Sequence, residues 1–221
     1  MTGWILQRTT NPMIASRVWR SASVWLVYVL GFVPAAWYFY LGATGQIPGN
    51  AIKVFEHLLG VWALRFLLVT LAVTPIRDLL GINLIRYRRA LGLLAFWYVV
   101  MHFSTYMILD QALNFQVIVN DIAKRPFITI GMASFALLIP LAITSNSWSI
   151  RQLGSRWNSL HKLSYVIILG GALHYLMAVR VITPEPAIYM AIAAILVGYR
   201  LFFRPRVLAW RKQRRAVAMA R

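Results

Sequence analysis

The sequence predicts an all-α integral membrane protein, a bundle of six transmembrane helices with both termini in the cytoplasm. Three observations carry this reading. Of 221 residues, 60% are apolar and only 13% charged, and the apolar residues gather in runs near 20 residues, the length a helix needs to cross about 30 Å of hydrocarbon. Between the runs lie short stretches rich in turn residues or in positive charge, as flanks of membrane spans are. The basic residues are also unevenly shared: segments 1–20, 75–89, 145–162 and 200–221 hold 18 Lys and Arg, the alternate segments hold Lys53, Lys124, Arg125 and Arg180, and Arg65 falls within a span. The positive-inside rule assigns the richer side, with both termini, to the cytoplasm. Four of the five acids (Glu56, Asp110, Asp121, Glu185) fall on the other side.

Taken in order, residues 1–20 read as a cytoplasmic N-terminal segment, residues 21–203 as the membrane bundle and residues 204–221 as a basic cytoplasmic tail. The first run, 21–41, is too long for the apolar stretch of a secretory signal and ends in Trp37-Tyr38-Phe39-Tyr40, so it is an uncleaved helix. A turn-rich loop, 42–50, precedes a second helix from about Val54 to Val73, with Thr74-Pro75 as its stop. After a basic loop the third helix covers about 88–109; residues 110–126 are too polar to span and lie at the interface. The fourth helix is about 127–144, the fifth 159–180, and Pro184 and Pro186 open a sixth that ends near Phe203.

The net charge of +18 does not indicate nucleic acid, because the basic residues flank apolar runs and fill the tail; anionic membrane lipid is the partner this pattern fits. The chain has no cysteine, which removes disulfides, thiolate-held iron–sulfur clusters and covalent haem attachment. With five carboxylates in all, a Mg²⁺ or Ca²⁺ cage has few ligands. A redox centre here is therefore a non-covalent group held by histidine.

Ionisable side chains at membrane depth are functional candidates, and imidazole is the commonest metal ligand among side chains. His161 and His174 stand 13 residues apart, roughly 20 Å along a helix. Counting from the cytoplasmic entry of each helix puts His102 and His174 at one outer level and His161 near the inner face. A haem bridged by His102 and His174 is one reading; two buried histidines donating to helix carbonyls is the other. At the inner level Arg88 lies 14 residues before His102, within about 40° of the same face. It is open to three readings: an iron ligand, a partner for a haem propionate, or one more positive-inside charge. In an ideal helix His161 falls about 140° off the face of His174, and a bend at Gly170-Gly171 is expected to relieve this. Among other candidates, His57 reads as a satisfied end residue, Arg65 as an interior charge in need of a partner such as a propionate, and Met101 and Met177 as packing.

The stretches EHLLGVWALRFLLVTLAVTPIRD, RYRRALGLLAFWYVVMHFSTYMILD, KRPFITIGMASFALLIPLAITS and LGSRWNSLHKLSYVIILGGALHYL resemble the MsrQ (YedZ) family, haem-binding membrane subunits of the bacterial periplasmic methionine sulfoxide reductase system. More distantly they are similar to the transmembrane domains of ferric reductases and NADPH oxidases, where paired histidines on two helices hold two stacked haems. His102, His161 and His174 match three of those four positions and Arg88 falls near the fourth. The resemblance implies a b-type cytochrome of the bacterial inner membrane with one or two haems b, and with FMN as a further cofactor. It implies electron conduction from the quinol pool, or from a cytoplasmic flavin reductase, to a periplasmic molybdopterin-dependent methionine sulfoxide reductase. The chain is then an electron-transfer subunit with no catalytic residues of its own. The alternative is a ferric reductase or oxidase that delivers electrons to Fe³⁺ or O₂.

Overall fold

The structure is a computed structural model and describes residues 12–179 and 183–210. Residues 1–11, Arg180 and the tail 211–221, which enter the predicted topology, lie outside the described residues. The described chain is helical throughout its spans: α1 (Pro12–Ala43), α2 (Ala51–Pro75), α3 (Arg88–Ser104), α4 (Phe115–Lys124), α5 (Pro126–Ile143), α6 (Ser147–Leu153), α7 (Ser155–Leu160), α8 (Leu163–Ala178) and α9 (Pro184–Gly198). Wider π-helical turns extend α2 over Ile76–Leu80, α3 over Thr105–Asp110 and α9 over Tyr199–Phe203.

Five of these helices are long and apolar enough to cross a membrane: Ser21–Ala43, Ala51–Leu80, Ile85–Asp110, Pro126–Ile143 and Pro184–Trp210. The protein is a multi-pass membrane protein. The helix expected over 159–180 is shorter than predicted. The chain turns at His161 and Lys162, and α8 itself has 16 residues, about 24 Å at helical rise. It nevertheless runs inside the bundle, packed against α2, α5 and α9.

Two helix pairs make the frame, α2 with α3 and α5 with α8. Leu59, Ala63 and Phe66 of α2 meet Leu94, Ala95 and Tyr98 of α3 in one buried cluster. Leu64 and Leu68 on another side of α2 join Ile168 and Ala172 of α8 and Ala193 of α9 in a second. Helix α1 lies outside against α3, its outer face rich in exposed Trp and Tyr, as lipid-facing aromatics are.

Prolines inside the spans show how backbone groups are satisfied where no water reaches them. Pro75 was expected to stop the second helix, yet the helix continues to Leu80. Proline has no N–H to give the carbonyl four residues back; that carbonyl, of Leu71, accepts instead from Arg200 Nη2 at 3.1 Å. At Pro34 in α1 the buried Tyr98 hydroxyl donates to Gly31 O at 2.7 Å and accepts from Ala35 N–H at 3.2 Å. A side chain thus stands in for the ladder beside the proline. The last span also runs past its predicted end at Phe203, to Trp210; Arg204 holds this extension to Asp78 at 3.1 Å.

Candidate functional site

Helix α3 carries His102 on its α2 side. The ring sits against Gly60, where a Cβ would stand 3.2 Å from its Nδ1, and Nδ1 donates to Glu56 O at 2.8 Å. The other pair repeats the device. His174 of α8 sits against Gly131 of α5, where a Cβ would stand 2.8 Å from Nδ1, and Nδ1 donates to Phe127 O at 2.6 Å. In each case a carbonyl takes the ring N–H and a glycine four residues further on leaves room for the ring.

These bonds fix the tautomer. A carbonyl oxygen only accepts, so both Nδ1 atoms carry the proton and both Nε2 atoms keep a lone pair. The predicted common level of the two histidines holds in space: their ring centres are 6.3 Å apart, with planes at 82°. Two imidazoles on one metal ion, with metal–nitrogen bonds of about 2 Å and ~1.1 Å more from nitrogen to ring centre, would have ring centres up to about 6.2 Å apart. The two predicted readings, ligation and donation to helix carbonyls, are therefore not rivals, because a second partner for Nδ1 is what orients a ligating imidazole.

Both histidines line a cavity of about 600 Å³ between the helix pairs, within the range of small-molecule and cofactor sites. Its deeper walls are apolar, with Leu64, Leu67, Val99, Phe135, Leu138 and Ile167. Its mouth is polar, with Lys53, Glu56, His57 and Arg125. Lys53 bridges Glu56 at 3.2 Å and Asp110 at 2.7 Å, and Arg125 pairs with Asp121 at 3.0 Å. Tyr106 donates to the same Asp121 at 3.0 Å, which ties α4 over the mouth.

The other predicted residues are placed differently. Neither His161 nor Arg88 lines the cavity. His161 lies in the turn before α8, its ring stacked on Trp157 at 3.9 Å, with Nε2 3.2 Å from Thr144 Oγ1. The Thr144 hydroxyl proton goes to Pro140 O at 2.6 Å, so its oxygen accepts from His161 Nε2–H. A turn at 161–162 places His161 before α8 rather than on it, so the angular relation to His174 expected of one continuous helix does not apply. Gly170 serves close packing instead, facing Ser134 of α5. Arg88 opens α3 within electrostatic reach of His161, Arg77 and Arg204. Arg65 was expected to face the interior, but Tyr189 Oη (2.6 Å) and Glu185 (3.7 Å) hold it, and it lies over the Trp62 ring at 5.0 Å. His57 does line the cavity mouth, with its ring 5.5 Å from that of Tyr175. Met101 and Met177 do not line the cavity.

Sequence reasoning missed Gly60 and Gly131. The available signal was a glycine inside a bilayer helix, where it costs about 1 kcal/mol of helix propensity against alanine and so marks a close approach.

Residues 59–172 match the family described as ferric reductase like transmembrane component. Over 202 residues the chain is 65% identical to a protein of Rhizobium meliloti named "Protein-methionine-sulfoxide reductase heme-binding subunit MsrQ", covering 91% of this chain and 93% of that protein. Proteins of the same name from Brucella ovis and Brucella canis are 62% identical over 199 residues, covering 89% of this chain and 90% of each. No solved structure matches. With a histidine pair in an apolar slot between two helix pairs, and relatives of this identity along nearly its whole length, the chain belongs to the MsrQ family of ferric-reductase-like transmembrane proteins.

Proposed function

We propose that the protein binds haem b between His102 and His174 and carries electrons across the bacterial inner membrane to a periplasmic methionine sulfoxide reductase. The observation that carries the cofactor is the close approach of the two imidazoles in one cavity, with ring centres 6.3 Å apart and each Nδ1–H held by a carbonyl, which leaves both Nε2 atoms for a metal. The cavity's apolar depth suits a porphyrin ring. Its mouth carries two cations, Lys53 and Arg125, each already paired with carboxylates of this chain, so carboxylate substituents would have to share them. When bound, the haem supplies a one-electron redox couple. The protein's part would be to fix both imidazoles, to exclude water from the ring and to set the potential through burial and the basicity of the two imidazoles.

The partner comes from the names of the relatives, each a heme-binding subunit of protein-methionine-sulfoxide reductase. A molybdopterin centre in that partner, a donor in the quinol pool or a cytoplasmic flavin reductase, and FMN belong to the same proposal. A second haem at His161 belongs to the same proposal, with Arg88 within electrostatic reach of that ring. It requires the bond from His161 to Thr144 to be exchanged, and haem quantified per chain decides between one and two.

The test is reconstitution. Protein in liposomes is reduced with a quinol analogue while haem absorbance is followed, and purified reductase with a methionine sulfoxide substrate is then added. The proposal expects haem reduction followed by reoxidation that needs both reductase and sulfoxide. Reoxidation by Fe³⁺ chelates or O₂ at the same rate without the reductase would support the ferric reductase or oxidase reading instead.

A further inference from the structure

We infer that the basic end of the last span is a binding site for the phosphate of an anionic phospholipid. Of the chain's five carboxylates, Glu56 and Asp110 pair with Lys53, Asp121 pairs with Arg125, and Glu185 with Arg65. That leaves Asp78 alone among the acids for the opposite end of the bundle. Its side chain is only 3% exposed, and both oxygens are used: Oδ1 accepts from Arg77 at 3.1 Å and Oδ2 from Arg204 at 3.1 Å.

Two guanidiniums therefore share one buried carboxylate, and Arg206 stands beside them without a carboxylate within ion-pair distance among the described residues. Arg200, one turn back along the same span, adds a buried Nε with no hydrogen-bond partner among the described residues. So much like charge at the edge of a low-dielectric phase is costly without an external anion, and the other acids of the chain are engaged elsewhere.

The place for that anion is an open groove of about 470 Å³ lined by Asp78, Leu79, Arg206, Val207 and Trp210. Its arginine end suits phosphate oxygens, which guanidinium binds through paired N–H donors. Asp78 in its lining is engaged by Arg77 and Arg204, and the remaining walls, Leu79, Val207 and Trp210, are apolar, with Leu79 64% and Trp210 54% exposed. A free phosphate would use only the arginine end, whereas a phospholipid also covers the apolar walls with its acyl chains. Basic pockets between spans are where anionic headgroups bind. A lipid held there would bridge the extension of α2 to the end of the last span, the join that Asp78 makes with Arg204.

Thermal unfolding of the delipidated full-length protein in detergent tests this, with phosphatidylglycerol, phosphatidylcholine or inorganic phosphate added. Phosphatidylglycerol is expected to raise Tm by roughly 5 °C at saturation, while the other two leave it unchanged. Arg206→Gln and Leu79→Glu leave Arg77 and Arg204, which pair with Asp78, in place. Each should unfold as wild type does without lipid and lose the phosphatidylglycerol shift. An equal shift with phosphatidylcholine would show that bulk lipid suffices, and an equal shift with inorganic phosphate would show an ion site without a lipid. Either result, or a full shift retained in both variants, overturns the inference. The outcome is independent of haem.

Discussion

At the residue scale, each proposed ligand depends on a carbonyl and on a glycine four positions after it. Glu56 O and Gly60 seat His102; Phe127 O and Gly131 seat His174. The two seats differ in tightness, and this sets the order of two mutations. A methyl at position 131 would meet His174 Nδ1 at 2.8 Å, while one at 60 would meet His102 at 3.2 Å. Gly131→Ala should therefore displace its imidazole and lower haem occupancy several-fold, and Gly60→Ala should do so less; haem-to-protein ratios after purification at fixed expression check the order. Tyr98 acts at the same scale on the fold. Its hydroxyl serves Gly31 O and Ala35 N–H beside Pro34, so Tyr98→Phe leaves buried groups short of a partner. A loss of about 1–3 kcal/mol is expected, read from unfolding in detergent, with the haem spectrum of the folded fraction unchanged.

At the scale of elements, apolar runs and basic flanks located the spans in sequence, because length and charge report directly on a bilayer. Boundaries were less legible wherever a tertiary partner overrode a local signal. Thr74-Pro75 reads as a stop, but Arg200, 129 positions away, supplies the missing donor to Leu71 O, and no local pattern contains that information. The turn at His161 was equally hidden, since 159–180 is continuously apolar enough to pass as one helix. The Arg200 account predicts a coupling. Arg200→Ala should destabilise the protein, and Pro75→Ala, which restores an N–H four residues from Leu71, should recover part of the loss. A double-mutant cycle on unfolding should give an interaction energy of about 1 kcal/mol. Strict additivity would mean that the Leu71 carbonyl is satisfied by another route.

At the scale of the whole molecule, the level shared by His102 and His174 was readable by counting residues from the basic ends. What counting could not give was the tautomer, the two glycine seats, or the filled surroundings of His161, because these depend on how the helix pairs meet. The proposed orientation of the bundle rests on the 18 basic residues expected on one side against Lys53, Lys124, Arg125 and Arg180 on the other. Fusions at the C-terminus are expected to be active for a cytoplasmic reporter and silent for a periplasmic one; the reverse would invert the assigned direction of electron flow. The central claim is that His102 and His174 hold one haem iron between them, and electron paramagnetic resonance of the oxidised protein tests it most directly. Near-perpendicular imidazoles, at 82°, predict a low-spin ferric signal whose largest g value exceeds that of parallel bis-imidazole haems. That signal should be lost in both His102→Ala and His174→Ala. Wild-type haem content and an unchanged low-spin signal in both variants would contradict the account.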